Sequence, residues 1–442
     1  MPPAWTSHCA LAGETDMKIP AIATLGCLAL AATQGASAQL PQASAAALGM
    51  GYNMTATARG FAAIANNPAG LGHPSSPGFS IAIPSLAAEA GLGPVTLRDL
   101  ADWEGALVPT AVKEDWLTRV ATSGGQGGRV GLGATPLALN IGPVGLQLST
   151  RVGGETSLAP DAAELLLFGN AGRDGMAGDF ALANSFVEAY ALTTAAVSFG
   201  FQASDVLYLG ATGKYVVGNG LLVGRDGGSV AHSNPISVEL DFPVLIPYGE
   251  SDDFRFDHGN GVGVDIGALW ESPSMVVGAT IQNVFNTFKW NLVEYSYIAG
   301  EAFFDRDNSE SDFDEQSLAS APAATRDAFQ ALADDLTLKP VVAVGVAMSP
   351  TRILRLQADV RKRLGDGLEL EPDFHLGIGT ELRLLSFLPL RAHAALITDG
   401  LQIGGGSSLI LGPLNLSGAL ALRARNGQNS TLAMATLSFG GN

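Results

Sequence analysis

The last hundred residues of the chain alternate apolar and polar side chains with hardly an interruption. In residues 374–384 every even position except Thr380 is apolar, while the odd positions hold His, Gly, Glu and Arg. A period of two is the pattern of a β-strand with one apolar face. The same pattern recurs in residues 353–363, 388–396 and 414–425. This part of the chain is therefore predicted to form a sheet of consecutive strands.

The composition indicates which face of these strands meets the surroundings. Charged residues make up only 15% of the chain, against about 25% in ordinary soluble proteins. The strands are also longer than the five or six residues usual in soluble sheets and suit a tilted bilayer crossing. If the polar face met lipid, side chains such as Arg355 and Arg383 would each cost roughly 2–4 kcal/mol near the bilayer midplane. The sequence therefore predicts an all-β fold, a transmembrane antiparallel β-barrel with a polar lumen, which leaves no unpaired strand edge in hydrocarbon.

The N-terminus indicates export. Residues 17–38 combine Lys18, an apolar stretch and a small-residue cleavage site, as in a secretory signal peptide for Sec-type export. Residues 1–16 have no such features, and we interpret them as an artefact of an upstream start site. Both cysteines, Cys9 and Cys27, precede the expected cleavage point, so the mature chain is predicted to have no disulfide and no thiolate metal ligand. A lipoprotein anchored through Cys27 is the alternative.

Charge and hydropathy exclude two other classes. The formal net charge is −18, which argues against a nucleic-acid partner. No apolar run reaches the length of about 18 residues that a membrane-spanning helix needs, which argues against a membrane protein built of helices.

A segment rich in small residues follows the signal peptide and ends in a short motif. Its composition predicts a short Ala-rich helix, stopped by a proline and a glycine turn. The motif consists of Asn66, Asn67, Pro68, Ala69, Gly70 and Leu71. Placed before alternating strands, it resembles the opening of the FadL-like superfamily of outer-membrane β-barrels. That resemblance implies a hatch of residues 39–77 inside a barrel of residues 78–442, with about 14 and up to 16 strands, in the cell outer membrane.

The remaining elements also suit an outer-membrane barrel, in which short turns lie at one end and long loops at the other. Residues 248–260 and 291–339 are the long acidic loops, expected outside the cell. Four segments are similar to a branch that contains PorV-type secretion barrels and TraF-like conjugation proteins: residues 261–286, 338–350, 353–364 and 376–382. The other predicted elements are a first strand at 78–84, helices outside the wall at 95–107, 112–120 and 159–168, a tight hairpin turn at 218–220 and a wall strand at 236–246.

Charged side chains on the lumenal face form the main candidate site. Guanidinium groups pair bidentately with carboxylates, so the group suits an anion such as the carboxylate of a fatty acid. The alternative is a structural network that pairs across neighbouring strands. The predicted ladder comprises Arg355, Asp359, Arg361, Glu381, Arg383, Arg391 and Arg423, with Arg363 and Arg425 at strand ends.

Other chemistry finds little support in the sequence. Residues 305–316 are acidic but fail the EF-hand spacing, because Glu310 stands at the sixth position and Gln316 at the twelfth. We therefore expect a solvated loop, no metal and no cofactor. The histidines are scattered and no G-x-S-x-G motif is present, so no enzyme is expected. A barrel lipid hydrolase using His375 or His393 is the remote alternative, disfavoured because both lie on the lumenal face.

Two functions from different classes follow. The first is a passive channel or carrier for small hydrophobic molecules, with outer-membrane lipids around it and the hatch in its lumen. The second is a membrane scaffold or accessory subunit for secretion or conjugation proteins that transports nothing. The charged lumenal face of the C-terminal strands disfavours long-chain lipids as cargo, whereas Tyr190, Leu192 and Leu207 are expected to line an apolar pocket.

Overall fold

Fourteen antiparallel strands form a closed barrel in the computed structural model. The structure describes residues 40–247, 257–365, 367–368, 372–425 and 427–440. The predicted signal peptide and upstream segment lie outside these residues, as does most of the loop at 248–260. The prediction of about 14 strands is confirmed.

Each wall strand pairs with the next one along the chain, and the last pairs with the first. Closure runs from Ile81, opposite Phe439, to Leu92, opposite Asn429, and it leaves the wall without an edge. The strands are β1 Phe79–Gly93, β2 Gln126–Ile141, β3 Val144–Leu158, β4 Phe186–Ser204, β5 Leu207–Arg225, β6 Gly259–Glu271, β7 Val276–Asn286, β8 Val341–Thr351, β9 Leu354–Arg363, β10 Phe374–Leu385, β11 Leu388–Ile397, β12 Gly400–Leu411, β13 Leu414–Arg425 and β14 Gln428–Phe439.

The wall presents apolar side chains outward and polar ones inward. In β10, Ile378 is 63% exposed and Leu376 is also exposed, whereas His375 before them and Glu381 after them are buried. Exposed Leu, Ile, Val and Phe side chains recur on the outer face of the other strands. A band of this kind fits hydrocarbon rather than water, so the barrel is a transmembrane one. None of the helices in the described part of the chain has both the length and the apolar character needed to cross a membrane.

The described part of the hatch, residues 40–77, lies inside the barrel. It contains helix α1 (Ala45–Gly49), helix α2 (Phe61–Asn66) and the 3₁₀-helix Pro68–Gly72. Helix α1 packs against β12, β13 and β14, whereas the 3₁₀-helix packs against β4, β5 and β6. Since these strands belong to different sides of the wall, the hatch crosses the lumen.

The two ends of the barrel differ. The short turns lie together at one end, at residues 142–143, 205–206, 272–275, 352–353, 386–387 and 412–413. Most of the connections at the other end are long, and they carry α3 (Leu97–Ala101), α4 (Thr110–Ser123), α5 (Pro160–Phe168) and α6 (Ala323–Asp335). We call these the short-turn end and the loop end.

Local sequence signals fix the loop helices. Thr96 caps α3 in a capping box with Asp99, and α4 ends at Gly124 in the left-handed conformation that favours glycine. Arg119 of α4 hydrogen-bonds the carboxyl of Asp99, and this bond, with the N-cap bonds from Thr96, lowers the pKa of Asp99 to about 2. The two helices are thereby tied together outside the wall.

The loops also contain short strands and 3₁₀-helices. Five of the strands form a separate sheet in the order Ser309–Asp312, Glu301–Asp305, Ile236–Asp241, Val230–Ser233 and Phe180–Ala181. The others are the strands Val244–Pro247, Lys289–Trp290, Tyr295–Ile298 and Glu315–Ser317, and the 3₁₀-helices Gly169–Ala171, Leu292–Glu294 and Leu318–Ser320.

Two of the predicted elements are wrong. Residues 218–220 are not a turn, because β5 continues through them to Arg225. Gly218 and Gly220 pair with successive residues of β4, so Asn219 forms a bulge between them, and the glycines serve the bulge. Residues 236–246 are not a wall strand, since Ile236–Asp241 belongs to the separate loop sheet. Their alternation arises from pairing with other loop strands.

Candidate functional site

Asn67 connects the hatch to the wall from a fully buried position. Its Nδ2 donates to the carbonyl oxygens of Thr55 at 2.9 Å and of Ala268 on β6 at 3.0 Å. Its Oδ1 accepts from the backbone N–H of Ala69 at 3.2 Å and so caps the 3₁₀-helix Pro68–Gly72. One amide side chain therefore joins two parts of the hatch to a wall strand.

The other motif residues shape the hatch itself. Asn66 Nδ2 donates to Gln42 Oε1 at 2.6 Å, which ties the second hatch helix to the first described residues of the hatch. A Cβ on Gly70 would stand 2.1 Å from the carbonyl oxygen of Ala58, so only glycine fits there. Leu71 is buried against Ala58. At the motif predicted from the sequence, two stretches of the hatch backbone therefore pass very close to each other inside the lumen.

Glycines on the wall strands lie where the hatch comes closest to the wall. A Cβ on Gly210 of β5 would lie 2.4 Å from the carbonyl carbon of Pro68, and one on Gly200 of β4 would lie 2.5 Å from its oxygen. A Cβ on Gly267 of β6 would meet Asn67 Oδ1 at 2.1 Å. Three neighbouring strands therefore lack side chains where the hatch touches them, which is the close approach that glycine allows.

Polar side chains hold the rest of the hatch against β9, β10 and β11. The backbone N–H of Thr55 donates to Asp359 Oδ2 at 2.9 Å, and Asn53 Oδ1 lies 3.1 Å from His375 Nε2. His393 Nδ1 lies 3.2 Å from the carbonyl oxygen of Gly49. The two histidines considered for catalysis are therefore buried in hatch contacts.

The predicted ladder separates into groups along the barrel axis. Glu381 accepts from Arg383 Nε and from Arg391 Nε, each at 2.8 Å, and lies 3.8 Å from Arg355 Nη1. This group lies near the short-turn end. Arg423 pairs with Glu89, a carboxylate on β1, through Nη1 at 3.1 Å from both carboxylate oxygens.

The two remaining ladder residues contact the hatch. Asp359 accepts the N–H of Thr55, and the guanidinium carbon of Arg361 lies 5.8 Å from the ring centroid of Tyr52. The structure thus brings Arg355, Glu381, Arg383 and Arg391 together and places the other members elsewhere. Arg363 and Arg425 line two separate cavities at the loop end.

Sequence reasoning missed several charged residues of the lumen. Lys214 on β5 and Asp265 on β6 form a buried ion pair at 2.6 Å, and Glu89 is the partner of Arg423. At the short-turn end, Arg59 and Glu271 line the same cavity as the Glu381 group. Glu89 is the single charged residue of β1, so a lone charge within an alternating strand was the available signal for that position.

Two cavities lie toward opposite ends of the barrel. The larger, of about 1190 Å³, lies at the short-turn end between the hatch and the turns. The smaller, of about 400 Å³, lies at the loop end and is lined both by charged residues and by Tyr190, Leu221, Leu336 and Leu368. We call the first the vestibule and the second the outer cavity.

An apolar cluster fills the interior next to the outer cavity. Leu192 belongs to it and Tyr190 packs against it, as expected for an apolar pocket, but Leu207 begins β5 at the short-turn end and is not among its residues. Trp290 Nε1 donates to the carbonyl oxygen of Leu336 at 2.7 Å, so the indole has a polar partner inside the cluster. The cluster comprises Leu192, Val216, Leu221, Val223, Leu245, Phe288, Trp290, Tyr295, Tyr297, Leu318, Ala321, Phe329, Ala333, Leu336, Leu338 and Leu368.

The acidic loop shows turn geometry. Asp305 accepts the backbone N–H groups of Asp307 and Asn308, and these bonds lower the pKa of its carboxyl. Within the ranges that the structure describes, no group of three or more His, Cys, Asp or Glu side chains is arranged to hold a metal ion.

The fold and the lumen define the class of protein: a fourteen-stranded transmembrane barrel whose own N-terminal segment fills its interior. Among solved structures, the chain is similar to a FadL homologue of Pseudomonas aeruginosa, at 12% identity over 91% of this chain and 99% of that chain, with a TM-score of 0.50. It is also similar to the toluene transporter TodX of Pseudomonas putida, at 12% identity over 93% and 100% with a TM-score of 0.47.

A third similar structure is the toluene transporter TbuX of Ralstonia pickettii, at 11% identity over 91% of this chain and 99% of that chain, with a TM-score of 0.47. At these identities the similarity shows the fold alone. No protein-family model matches the chain, and no curated protein matches it.

Proposed function

We propose that the protein is a passive channel for small hydrophobic molecules in the cell outer membrane. The observation that carries this proposal is the contact between the outer cavity and the apolar cluster. Leu221, Leu336 and Leu368 belong to both, so a ligand in the cavity would lie directly against a buried apolar surface. A volume of about 400 Å³ suits a small molecule, since ligand pockets commonly measure roughly 300–1,000 Å³.

The lining of the outer cavity limits which molecules the channel could carry. Ion pairs between Arg129 and Glu155 and between Arg225 and Glu188 stand beside its apolar residues. A ligand with a short apolar body and a polar end satisfies both kinds of surface, whereas a long hydrocarbon chain would desolvate these charges. The names of the similar structures TodX and TbuX, toluene transporters, agree with a small cargo.

Transport requires the hatch to move, because it crosses the lumen between strands on different sides of the wall. The hydrogen bonds of the Asn67 side chain would have to break first, since they join Thr55, Ala69 and the wall carbonyl of Ala268. Under this proposal the hatch motif acts as a gate, and the long loops face the outside while the short turns face the periplasm.

The test replaces Asn67 and Pro68 together, as Asn67→Leu with Pro68→Ala. Leucine keeps the volume but offers no hydrogen bond, so the hatch should loosen and uptake of a small aromatic hydrocarbon into proteoliposomes should become faster. Asn260→Leu, on the exposed start of β6, is the matched control and should leave uptake unchanged. Unchanged uptake in the double variant, with the barrel still folded, would contradict a gating hatch.

A second function, that of a membrane scaffold that transports nothing, is supported by the hydrogen bonds of the hatch to the wall and by the loop helices. The hatch is bonded to strands on several sides of the wall, which suits a barrel that conducts nothing. Leu97, Leu107 and Leu166 are exposed on the helical loops, Leu107 to 96%, and they would offer apolar contacts to secretion or conjugation proteins, as the PorV-like and TraF-like resemblance implies.

Native mass spectrometry of the protein taken gently from membranes separates the two functions. A bound hydrophobic molecule that survives extraction supports the channel, and a stoichiometric protein partner with an empty lumen supports the scaffold. We infer no catalytic role, because His375 and His393 are engaged by the hatch.

A further inference from the structure

We propose that the vestibule is a binding site for a phosphate group, carried either by a soluble anion or by a lipid headgroup, that enters from the periplasmic side. This inference goes beyond the proposed channel and does not depend on transport. It starts from charge: the described residues that line the vestibule include four arginines, Arg59, Arg355, Arg383 and Arg391, but only two carboxylates, Glu271 and Glu381.

The resulting local charge of +2 contrasts with the rest of the molecule. The whole chain carries a formal net charge of −18, so the vestibule is a positive enclosure in an acidic protein. Enclosure between the hatch and the wall limits screening by bulk water, which strengthens the attraction for an anion.

The guanidinium groups are far from saturated. Each carries five N–H donors, yet among the described contacts Arg383 makes one hydrogen bond, to Glu381. Arg391 makes two, to Glu381 and Ser408. Arg355 approaches Glu381 only to 3.8 Å, which is beyond hydrogen-bond distance.

Two of these arginines are also accessible. The side chains of Arg355 and Arg383 are 42% and 44% exposed, whereas Glu381 and Arg391 are each 7% exposed. Glu381 and Arg391 thus form a buried ion pair, and the two accessible guanidinium groups beside it keep N–H donors that no described residue accepts. This fork geometry suits the oxygens of a phosphate.

Arg59 supplies a second, independent observation from the hatch. Its Nη1 donates to the carbonyl oxygens of Ala56 and Ala58 at 3.3 and 2.8 Å, which fixes the side chain on the hatch. Its Nε is buried and has no hydrogen-bond partner within the described residues. Buried donors normally find an acceptor, and an anion in the vestibule would be one.

The test is a calorimetric titration of inorganic phosphate into the full chain in phospholipid-free detergent at low salt, where screening is weak. The variant Arg355→Gln with Arg383→Gln should bind at least about tenfold more weakly, because two charged donors are lost. The control Arg98→Gln with Arg306→Gln removes the same charge from exposed positions in loops and should bind as the wild type does. The Glu381–Arg391 pair stays intact in the test variant, and matching unfolding midpoints will show that it folds.

A second arm identifies the source of the anion. The protein is transferred to nanodiscs containing phosphatidylglycerol and examined by native mass spectrometry. Free phosphate binding that the vestibule variant loses supports a soluble anion. Lipid retention that only the vestibule variant loses supports a headgroup. Binding that is absent in both arms, or equal in the wild type and the vestibule variant, overturns the proposal.

Discussion

Replacing Gly210 by alanine tests whether the hatch is seated against bare backbone on the wall. Gly210 lies on an inward position of β5, and its φ angle is outside the left-handed region, so alanine causes no backbone strain. Its Cβ would stand 2.4 Å from the carbonyl carbon of Pro68 and 2.5 Å from the nitrogen of Ala69. Both atoms belong to the hatch backbone, which has no flexible side chain to turn aside.

The size of the effect follows from these distances. Ordinary contact begins near 3.4 Å, so the hatch or the strand must move by about 1.0 Å. Overpacking of this kind typically costs about 1–3 kcal/mol. A shift of the hatch would also strain the hydrogen bond from Asn67 to the carbonyl oxygen of Ala268.

The chain offers a matched control three positions along the same strand. Gly213 is exposed on the outer face, and a Cβ there meets nothing within 4 Å. Gly213→Ala should therefore change the free energy of unfolding by less than about 0.5 kcal/mol. Denaturant unfolding in detergent, followed by tryptophan fluorescence, compares the two variants with the wild type. Equal midpoints for Gly210→Ala and Gly213→Ala would refute a tightly seated hatch.

Two further predictions concern ion pairs. Lys214→Met should destabilise the barrel by about 3–5 kcal/mol, because it leaves the buried carboxylate of Asp265 without a counter-charge; exposed Lys289→Met is the control, and equal unfolding midpoints would contradict the buried pair. The contact between Asp99 and Arg119 should depend on acid: the pKa of the Asp99 carboxyl is lowered from 3.8 to about 2 in the fold, so its stabilisation is complete above pH 3.8 and is lost as the pH falls through 2. Hydrogen exchange of helix α3 measured against pH will show this protection fading, and Arg119→Gln should move the loss to higher pH; an unchanged profile in Arg119→Gln would contradict it.

The C-terminal half of the wall was the most predictable part of the fold. Strand β13 has the predicted limits, and β10 extends the predicted strand by one residue. These strands bury charged or small residues on one face and meet lipid on the other, so both faces leave a mark on the sequence. Strand β1 is predicted only to Pro84, because the pattern of alternation changes after that residue, yet the strand continues past a bulge to Gly93.

The lumen was less predictable, because its charges pair across strands that are distant in sequence. Glu89 and Arg423 are separated by most of the barrel in sequence, and only closure of β1 on β14 brings them together. In the sequence the ladder residues form a single series, because they share one face of their strands. In the structure they fall into separate groups, because they differ in position along the barrel axis and in whether they contact the hatch. Periodicity gives the face of a side chain, whereas register across strands determines its partner.

The contacts of the hatch set an order of events during assembly. The N–H of Ala45 donates to Thr436 Oγ1, a partner 391 positions further along the chain. The hatch is synthesised before the wall, but this acceptor arrives with the final strand. Contacts of such long range form late, since the intervening chain must be organised before they can close. An early segment of the chain therefore completes its contacts late, and a truncated chain without β14 would lack the partner of Ala45.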